Sequence, residues 1–352
     1  MNDKIHSLKA VDFFCGAGGM TNGFIKAKVQ VLAGIDNDLQ CKETYEANNP
    51  GSVFLCSDIK DLTFDQLEQV IDIKRNDDSM IFIGCSPCQY WSMIKTDKTK
   101  SEKTKNLLID FEKFVSHYRP GYVVIENVPG FFTRMPESPL RSFLGYLEQE
   151  EYVYAYDVIN ASHYGVPQTR KRFLLLATRV KKLISLPNSD TISSPPTVKD
   201  FIGIEKGFQQ VLAGHRDNTE FLHTVAGLSP QNLMRLQLTP KNGGNRLSWK
   251  DTDLQIPAYA GKDDSFRDIY GRMYWDRPAP TITTKFHSVT NGRFAHPDQN
   301  RGLSLREGAT LQTFDVQYKF KGSSIGAIAR LIGNAVPPEL SKRIAEHLYN
   351  IG

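Results

Sequence analysis

Cysteine is scarce in this chain of 352 residues, and its five copies, Cys15, Cys41, Cys56, Cys85 and Cys88, are confined to the first quarter. An odd, clustered set does not make the disulfide framework of a small secreted scaffold, so reduced thiols are expected. Long apolar runs are missing too. Nothing approaches the ~20 residues of a membrane span, and Met1 to His6 lacks the pattern of a signal peptide. A cytoplasmic protein with no membrane partner is expected. Neither sign of charge dominates: 43 basic against 39 acidic residues leave a net +4. That balance is compatible with nucleic acid but does not argue for it. Internal repeats and low-complexity tracts are absent, which removes solenoids and disordered tails from consideration.

What is present begins with alternation. Ala10 to Phe14, Val31 to Ile35, Val53 to Cys56, Met80 to Ile83, Tyr122 to Ile125 and Phe173 to Ala177 are apolar enough to be strands. Between them, Leu108, Phe111 and Val115 fall at helical spacing within 105–117. Apolar strands alternating with helices predict a largely parallel sheet covered on both faces. Beyond Lys182 the texture changes. The Ser, Thr and Pro of 189–196 read as a linker, and periodicity stays weak to about His296. Near the end, Pro337 and Pro338 precede Leu340, Ile344 and Leu348, the apolar stripe of a helix that should pack on the first domain.

The stretch FIGCSPCQYWS, residues 82–92, poses the chemical question. Cys85 and Cys88 have the spacing of a thioredoxin-like redox pair, yet that reading leaves most of the chain without a role. A zinc site needs two further ligands, but no cysteine follows Cys88 and no compact histidine pair appears, so no metal is expected. Two inert buried thiols are the ordinary fate of free cysteine. Against it stands the position of Cys88 just past a strand end, where parallel sheets keep their ligand crevice. A nucleophile is preferred. The other strand ends support it. The first runs into Cys15-Gly16-Ala17-Gly18-Gly19, a turn that lets backbone approach a ligand beside a helix N-terminus. Thr21 stands where a dinucleotide fingerprint requires its third glycine. Asp36 ends the second strand and Asp58 follows the third. Turn, acid and acid together describe an adenosine-type pocket.

With these residues in hand, the chain resembles the C5-cytosine DNA methyltransferases, with motifs in the family's order over nearly its whole length. They are Asp12 to Gly19, Ser86-Pro87-Cys88-Gln89, Glu126-Asn127-Val128, Gln168-Thr169-Arg170-Lys171-Arg172, the segment from Arg306-Glu307 to Phe314, and Gly333 to Pro338. Cys85-Ser86 departs from the small pair usual before the Pro-Cys-Gln motif. The resemblance implies a Rossmann-like α/β methyltransferase sheet with a smaller, loop-rich target recognition domain. It implies S-adenosylmethionine as methyl donor and duplex DNA as substrate, held as a monomer with a flipped cytosine. A separately acting restriction endonuclease is a possible companion, and a tRNA cytosine methyltransferase is the alternative.

Residue by residue, the resemblance makes Cys88 the nucleophile and Glu126 the group at cytosine N3. Arg170 and Arg172 become anion and carbonyl contacts. Phe14, Gly16, Gly18, Asp36, Asp58, Pro87, Asn334 and Val336 would hold the cofactor. Gln89, Gln168 and Thr281 would meet DNA, and Arg246 and Arg293, basic side chains among the glycines and asparagines of the loop-rich region, are expected to join them as phosphate or base-edge contacts. The expected division is a catalytic and cofactor domain over 1–182, target recognition over 183–300, and a return segment over 301–352.

Overall fold

The computed structural model describes residues 8–87, 106–134 and 138–351. Its contacts divide the chain into two units: one comprises 1–160, 171–189 and 338–352, the other 161–170 and 190–337. The second unit is thus inserted twice into the first. Its larger insertion runs on to 337, past the expected return at 301.

The first unit is built on a seven-stranded sheet. β1 (Lys9–Phe13), β2 (Gln30–Asp36), β3 (Val53–Cys56), β4 (Met80–Gly84) and β5 (Tyr122–Asn127) run parallel. β7 (Lys171–Thr178) runs antiparallel to β5, and β6 (Val153–Asn160) pairs antiparallel with β7, giving the order β3-β2-β1-β4-β5-β7-β6. Six of these strands match the apolar runs of the sequence. The seventh, β6, was not expected, and its physics explains why. It is an edge strand with mostly half-buried side chains, so it carries no continuous apolar signal.

Among the described residues six helices separate these strands: α1 (Gly19–Lys26), α2 (Lys42–Asn48), α3 (Phe64–Val70), α4 (Leu107–Tyr118), α5 (Pro129–Thr133) and α6 (Leu140–Gln149). Leu108, Phe111 and Val115 of α4 are buried, as their spacing predicts. Phe111 and Phe114 pack against Phe13 at ring separations of 5.3 and 5.2 Å, which fastens the helix to the middle of the sheet. No helix among the described residues is long and apolar enough to cross a membrane.

The C-terminal helix, Pro338–Asn350, returns to the first unit and packs on α1. Its Leu340, Ile344 and Leu348 are fully buried, each worth about 1.5–3 kcal/mol relative to exposure. Gly23 permits the approach. A Cβ there would lie 2.3 Å from Ser341 Cβ and 2.4 Å from the Pro338 carbonyl oxygen.

In the second unit regular structure is sparse. Its main helices are α7 (Pro230–Leu238), α8 (Leu305–Leu311) and α9 (Ile325–Asn334). Leu236, Trp249, Tyr270, Val289 and Ala295 form a small apolar cluster.

The α1 contact predicts that Gly23→Ala will destabilise the protein by about 1–3 kcal/mol, the usual cost of overpacking. Gly145→Ala in α6, where nothing lies within 4 Å of a new Cβ, should be neutral or gain up to about 1 kcal/mol. Urea denaturation of the two variants checks both.

Candidate active site

Strand register assembles the site. Phe13 of β1 lies opposite Ile35 of β2 and Gly84 of β4, and Gly84 lies opposite Ile125 of β5. The next residue on each strand is Phe14, Asp36, Cys85 and Glu126. An aromatic ring, a thiol and two carboxyl groups therefore line the carboxyl edge, where open α/β sheets bind ligands.

On the β1–β2 side, Phe14 takes a left-handed φ of 66°, a conformation costing non-glycine residues roughly 1–2 kcal/mol. Gly16 and Gly18 follow at φ 52° and 84°. The Asp36 carboxylate ties this turn down. Its Oδ2 accepts the Gly16 N–H at 2.8 Å and its Oδ1 the Asp38 N–H at 2.9 Å. Burial pushes the Asp36 pKa up, and the backbone donors only partly offset that. Asp58 follows β3 half-buried and accepts from Lys60 N at 3.1 Å and Asn37 Nδ2 at 3.3 Å. Asn37 had drawn no notice in the sequence.

On the β4–β5 side, Glu126 is buried, with Arg172 Nε 2.9 Å from its Oε1. Antiparallel pairing makes this meeting possible, because Glu126 lies opposite Leu174, two residues along β7 from Arg172. The Arg172 Nη1 donates to the Lys171 carbonyl at 2.7 Å. Asn127, also buried, donates from Nδ2 to Ser86 Oγ at 3.3 Å, while its Oδ1 accepts the Val128 N–H at 2.8 Å. This link joins the end of β5 to the segment leading through Pro87. Sequence reasoning noted Asn127 within a motif but not the contact it makes. Cys88 and Gln89 lie outside the described residues.

The second unit gives its expected contacts a different character. Gln168 is fully buried: its Nε2 donates to the Leu311 carbonyl and Gln312 Oε1, and its Oε1 accepts the Ile282 N–H. Arg170 is equally enclosed, donating to the carbonyls of Ile282, Gly333 and Ala335 at 3.1, 3.4 and 3.0 Å. Arg246 is wholly buried on the carbonyls of Phe266, Lys262 and Ser265. Arg293 pairs with Asp268 at 2.9 Å and donates to three carbonyls. These side chains are engaged inside the unit, because a loop-rich fold leaves carbonyls that no ladder satisfies. Thr281 donates to the Thr169 carbonyl at 2.7 Å. Asn334 is exposed at the end of α9, and Val336 is buried.

The family model for C-5 cytosine-specific DNA methylase matches residues 8–350. The chain belongs to this family. It is 35% identical to the Type II methylase M.HgiDII of Herpetosiphon aurantiacus over 96% of this chain and 94% of that one. It is 32% identical to the Type II methyltransferase M1.HphI of Haemophilus parahaemolyticus, covering 97% and 86%. Among solved structures, the S. pombe Dnmt2 methyltransferase superposes with a TM-score of 0.61 at 16% identity over 98% of each chain. That likeness is one of fold.

In this C5-cytosine methylase the second unit holds a buried ionic cluster that should respond to acid. Burial pushes the Glu307 pKa up, but Arg301, donating to both carboxylate oxygens at 2.7 Å, overrides it and leaves a value of about 2. Burial lowers His296 to about 4, and its Nδ1 accepts the Asp298 and Gln299 N–H groups as a neutral ring. Both values lie below those of the unfolded chain, 6.5 for histidine and 4.5 for glutamate. The stability they contribute is therefore whole above about pH 6.5 and is lost as pH falls towards 2. Glu307→Gln should cost about 3–5 kcal/mol at pH 7 by stranding Arg301, and should flatten the loss below pH 4.5. Urea midpoints against pH, read by tryptophan fluorescence, test this, since the Trp275 ring packs on His296 at 5.3 Å.

Proposed function

We propose that this C5-cytosine DNA methyltransferase takes its methyl group from S-adenosylmethionine, and that Cys88 and Glu126 carry the chemistry on a cytosine flipped from duplex DNA. The observation that carries the reading is the β5 end. There a buried carboxyl meets Arg172, and its neighbour Asn127 holds the segment that leads to Cys88.

The β1–β2 edge fits an adenosyl group. An ionised carboxylate has about four acceptor sites, and the Asp36 oxygens spend two on Gly16 and Asp38. The acceptor capacity left over suits a ribose hydroxyl, with Phe14 against the base and Gly16 and Gly18 admitting backbone contact. Asp58 and Pro87 complete the residues assigned to it on this unit, and resemblance adds Asn334 and Val336. When bound, the cofactor supplies an electrophilic methyl on a sulfonium.

Cytosine C5 is too weak a nucleophile to accept that methyl unaided. The Cys88 thiolate adds to C6, forming a C–S bond and pushing electron density to C5. Glu126 holds a proton at N3, so charge does not accumulate on the ring. Arg172 holds Glu126 in place and offers a donor to the base carbonyl. After C5 gains the methyl, its proton leaves to a base and Cys88 is expelled, restoring the aromatic ring. Arg170, Gln168, Arg246 and Arg293 act through the backbone they fix, and Gln89 and Thr281 remain the resemblance-based contacts to DNA. We further propose a cytoplasmic monomer that partners a separately acting endonuclease in a restriction-modification system.

Bisulfite sequencing of DNA from a host expressing the protein should reveal protected cytosines in one short sequence context. Cys88→Ala should abolish protection while Cys85→Ala retains most of it, and Glu126→Gln should slow transfer about 10²–10⁴-fold. Equal loss from both cysteine variants would restore the redox reading, and methylation of tRNA without DNA would establish the RNA alternative. Asp36→Ala should weaken cofactor binding by about 1.5–3 kcal/mol, measured by calorimetry.

A further inference from the structure

Beneath the glycine turn runs a buried polar chain that the chemistry above does not use. Asp12, within β1, has no solvent exposure and lies between Val11 and Phe13, themselves fully buried. Its Oδ2 is 2.7 Å from Thr21 Oγ1 on α1. Thr21 Oγ1 is 3.2 Å from the Tyr45 hydroxyl on α2, which is 2.6 Å from Ser52 Oγ just before β3. Thr21, Tyr45 and Ser52 are buried as well. Gly34 makes room for the link, since a Cβ there would fall 2.4 Å from the Tyr45 ring. The second carboxyl oxygen, Asp12 Oδ1, has no hydrogen-bond partner among the described residues.

Hydroxyls both donate and accept, so this chain can serve either form of the acid. Around an ionised Asp12, Thr21 donates to the carboxylate, Tyr45 to Thr21 and Ser52 to Tyr45. With a proton on Oδ2, every bond reverses and the run ends as a donation to Ser52. The two forms are not equal in energy. A buried carboxylate with an unpartnered oxygen is costly, whereas a neutral acid leaves only a carbonyl-type oxygen unmet.

We propose that Asp12 is a positioning residue for the cofactor turn. As a neutral acid it ties β1 and the start of α1, through Thr21 and Tyr45, to α2 and the approach to β3. The proposal rests on reading the turn at Phe14 to Gly18 as the S-adenosylmethionine site. Among the described residues the titratable groups around the chain are Asp36 on β2, Cys15 in the turn and Tyr45 on α2, and none brings a positive charge. Burial pushes the Asp12 pKa up to about 7; the Thr21 hydrogen bond opposes this and Asp36 adds to it. A raised acid lowers stability as pH climbs from the unfolded value of 3.8 to about 7. Above that range a second negative charge faces Asp36, whose hydrogen bond to Gly16 shapes the turn.

The test uses the full chain with Asp12→Asn, a neutral side chain that can donate to Thr21, and Asp12→Ala, which cuts the link. Calorimetric affinities for S-adenosylmethionine are compared between pH 6 and 9, with wild type and Asp12→Asn paired at each pH so that titration of the ligand cancels. The wild type should lose affinity several-fold relative to Asp12→Asn as pH rises through 7, and Asp12→Ala should bind at least tenfold more weakly throughout. Parallel pH profiles for wild type and Asp12→Asn, or normal affinity in Asp12→Ala, would overturn the proposal. Melting temperatures without ligand separate the two readings. A wild type that binds no S-adenosylmethionine at any pH sinks the cofactor assignment. The Asp12 chain then stands only if the wild type loses melting temperature relative to Asp12→Asn as pH rises from 3.8 to about 7, and falls if the two profiles coincide.

Discussion

Parallel pairing is the constraint on which this molecule depends. Because β1, β2, β4 and β5 run the same way and share one register line through Ile35, Phe13, Gly84 and Ile125, their exits fall side by side. An aromatic ring, a carboxylate, a thiol-bearing loop and a second carboxylate leave the sheet at one level. No side chain has to reach far. A shift of one residue between β1 and β4 would turn the loop towards Cys88 to the opposite face, since alternate residues point oppositely. The sheet thus acts as a ruler for the chemistry, and the apolar contacts of Phe13, Phe82 and Phe111 keep the ruler rigid.

Much of this was legible in the sequence. Strands rich in apolar residues write themselves as apolar runs, so β1, β2, β3, β4, β5 and β7 could be found without coordinates. The residues just past them, Phe14, Asp58 and Cys85, could then be placed at strand ends, with Asp36 and Glu126 at the last turns of β2 and β5. The edge strand β6 was illegible because half-exposed tyrosines and an aspartate interrupt its pattern. The Arg172 contact with Glu126 was equally hidden. It arises from antiparallel pairing between β5 and β7, and pairing direction leaves no mark in a local window of sequence.

The second unit was harder to read for a different reason. Arg246, Arg272, Arg301 and Arg306 are fully buried there, and Arg272 alone donates to four carbonyls, those of Leu236, Thr239, His296 and Gln299. A fold with few ladders has unpaired carbonyls, and a guanidinium with five donors can gather several of them at once. In a basic, glycine-rich segment such arginines look like nucleic-acid contacts. Sequence cannot separate an arginine that meets phosphate from one that replaces missing sheet, because both sit among glycine and asparagine for their backbone freedom. The exposed Lys241, Arg267 and Lys285 are chemically freer to meet a polyanion than the buried set.

The docking of the C-terminal helix on α1 also bears on how the protein is made. α1 leaves the ribosome long before Pro338–Asn350, the helix that covers it. Throughout synthesis, the apolar face of α1 and the small side of Gly23 wait without their partner, while the whole inserted unit is produced and can fold. Contacts so distant in sequence close slowly, since the loop entropy is spent before they reward it. The first unit is therefore completed only after the inserted unit has been made, and a nascent chain stalled short of Pro338 would expose a sheet-covering surface that chaperones must shield.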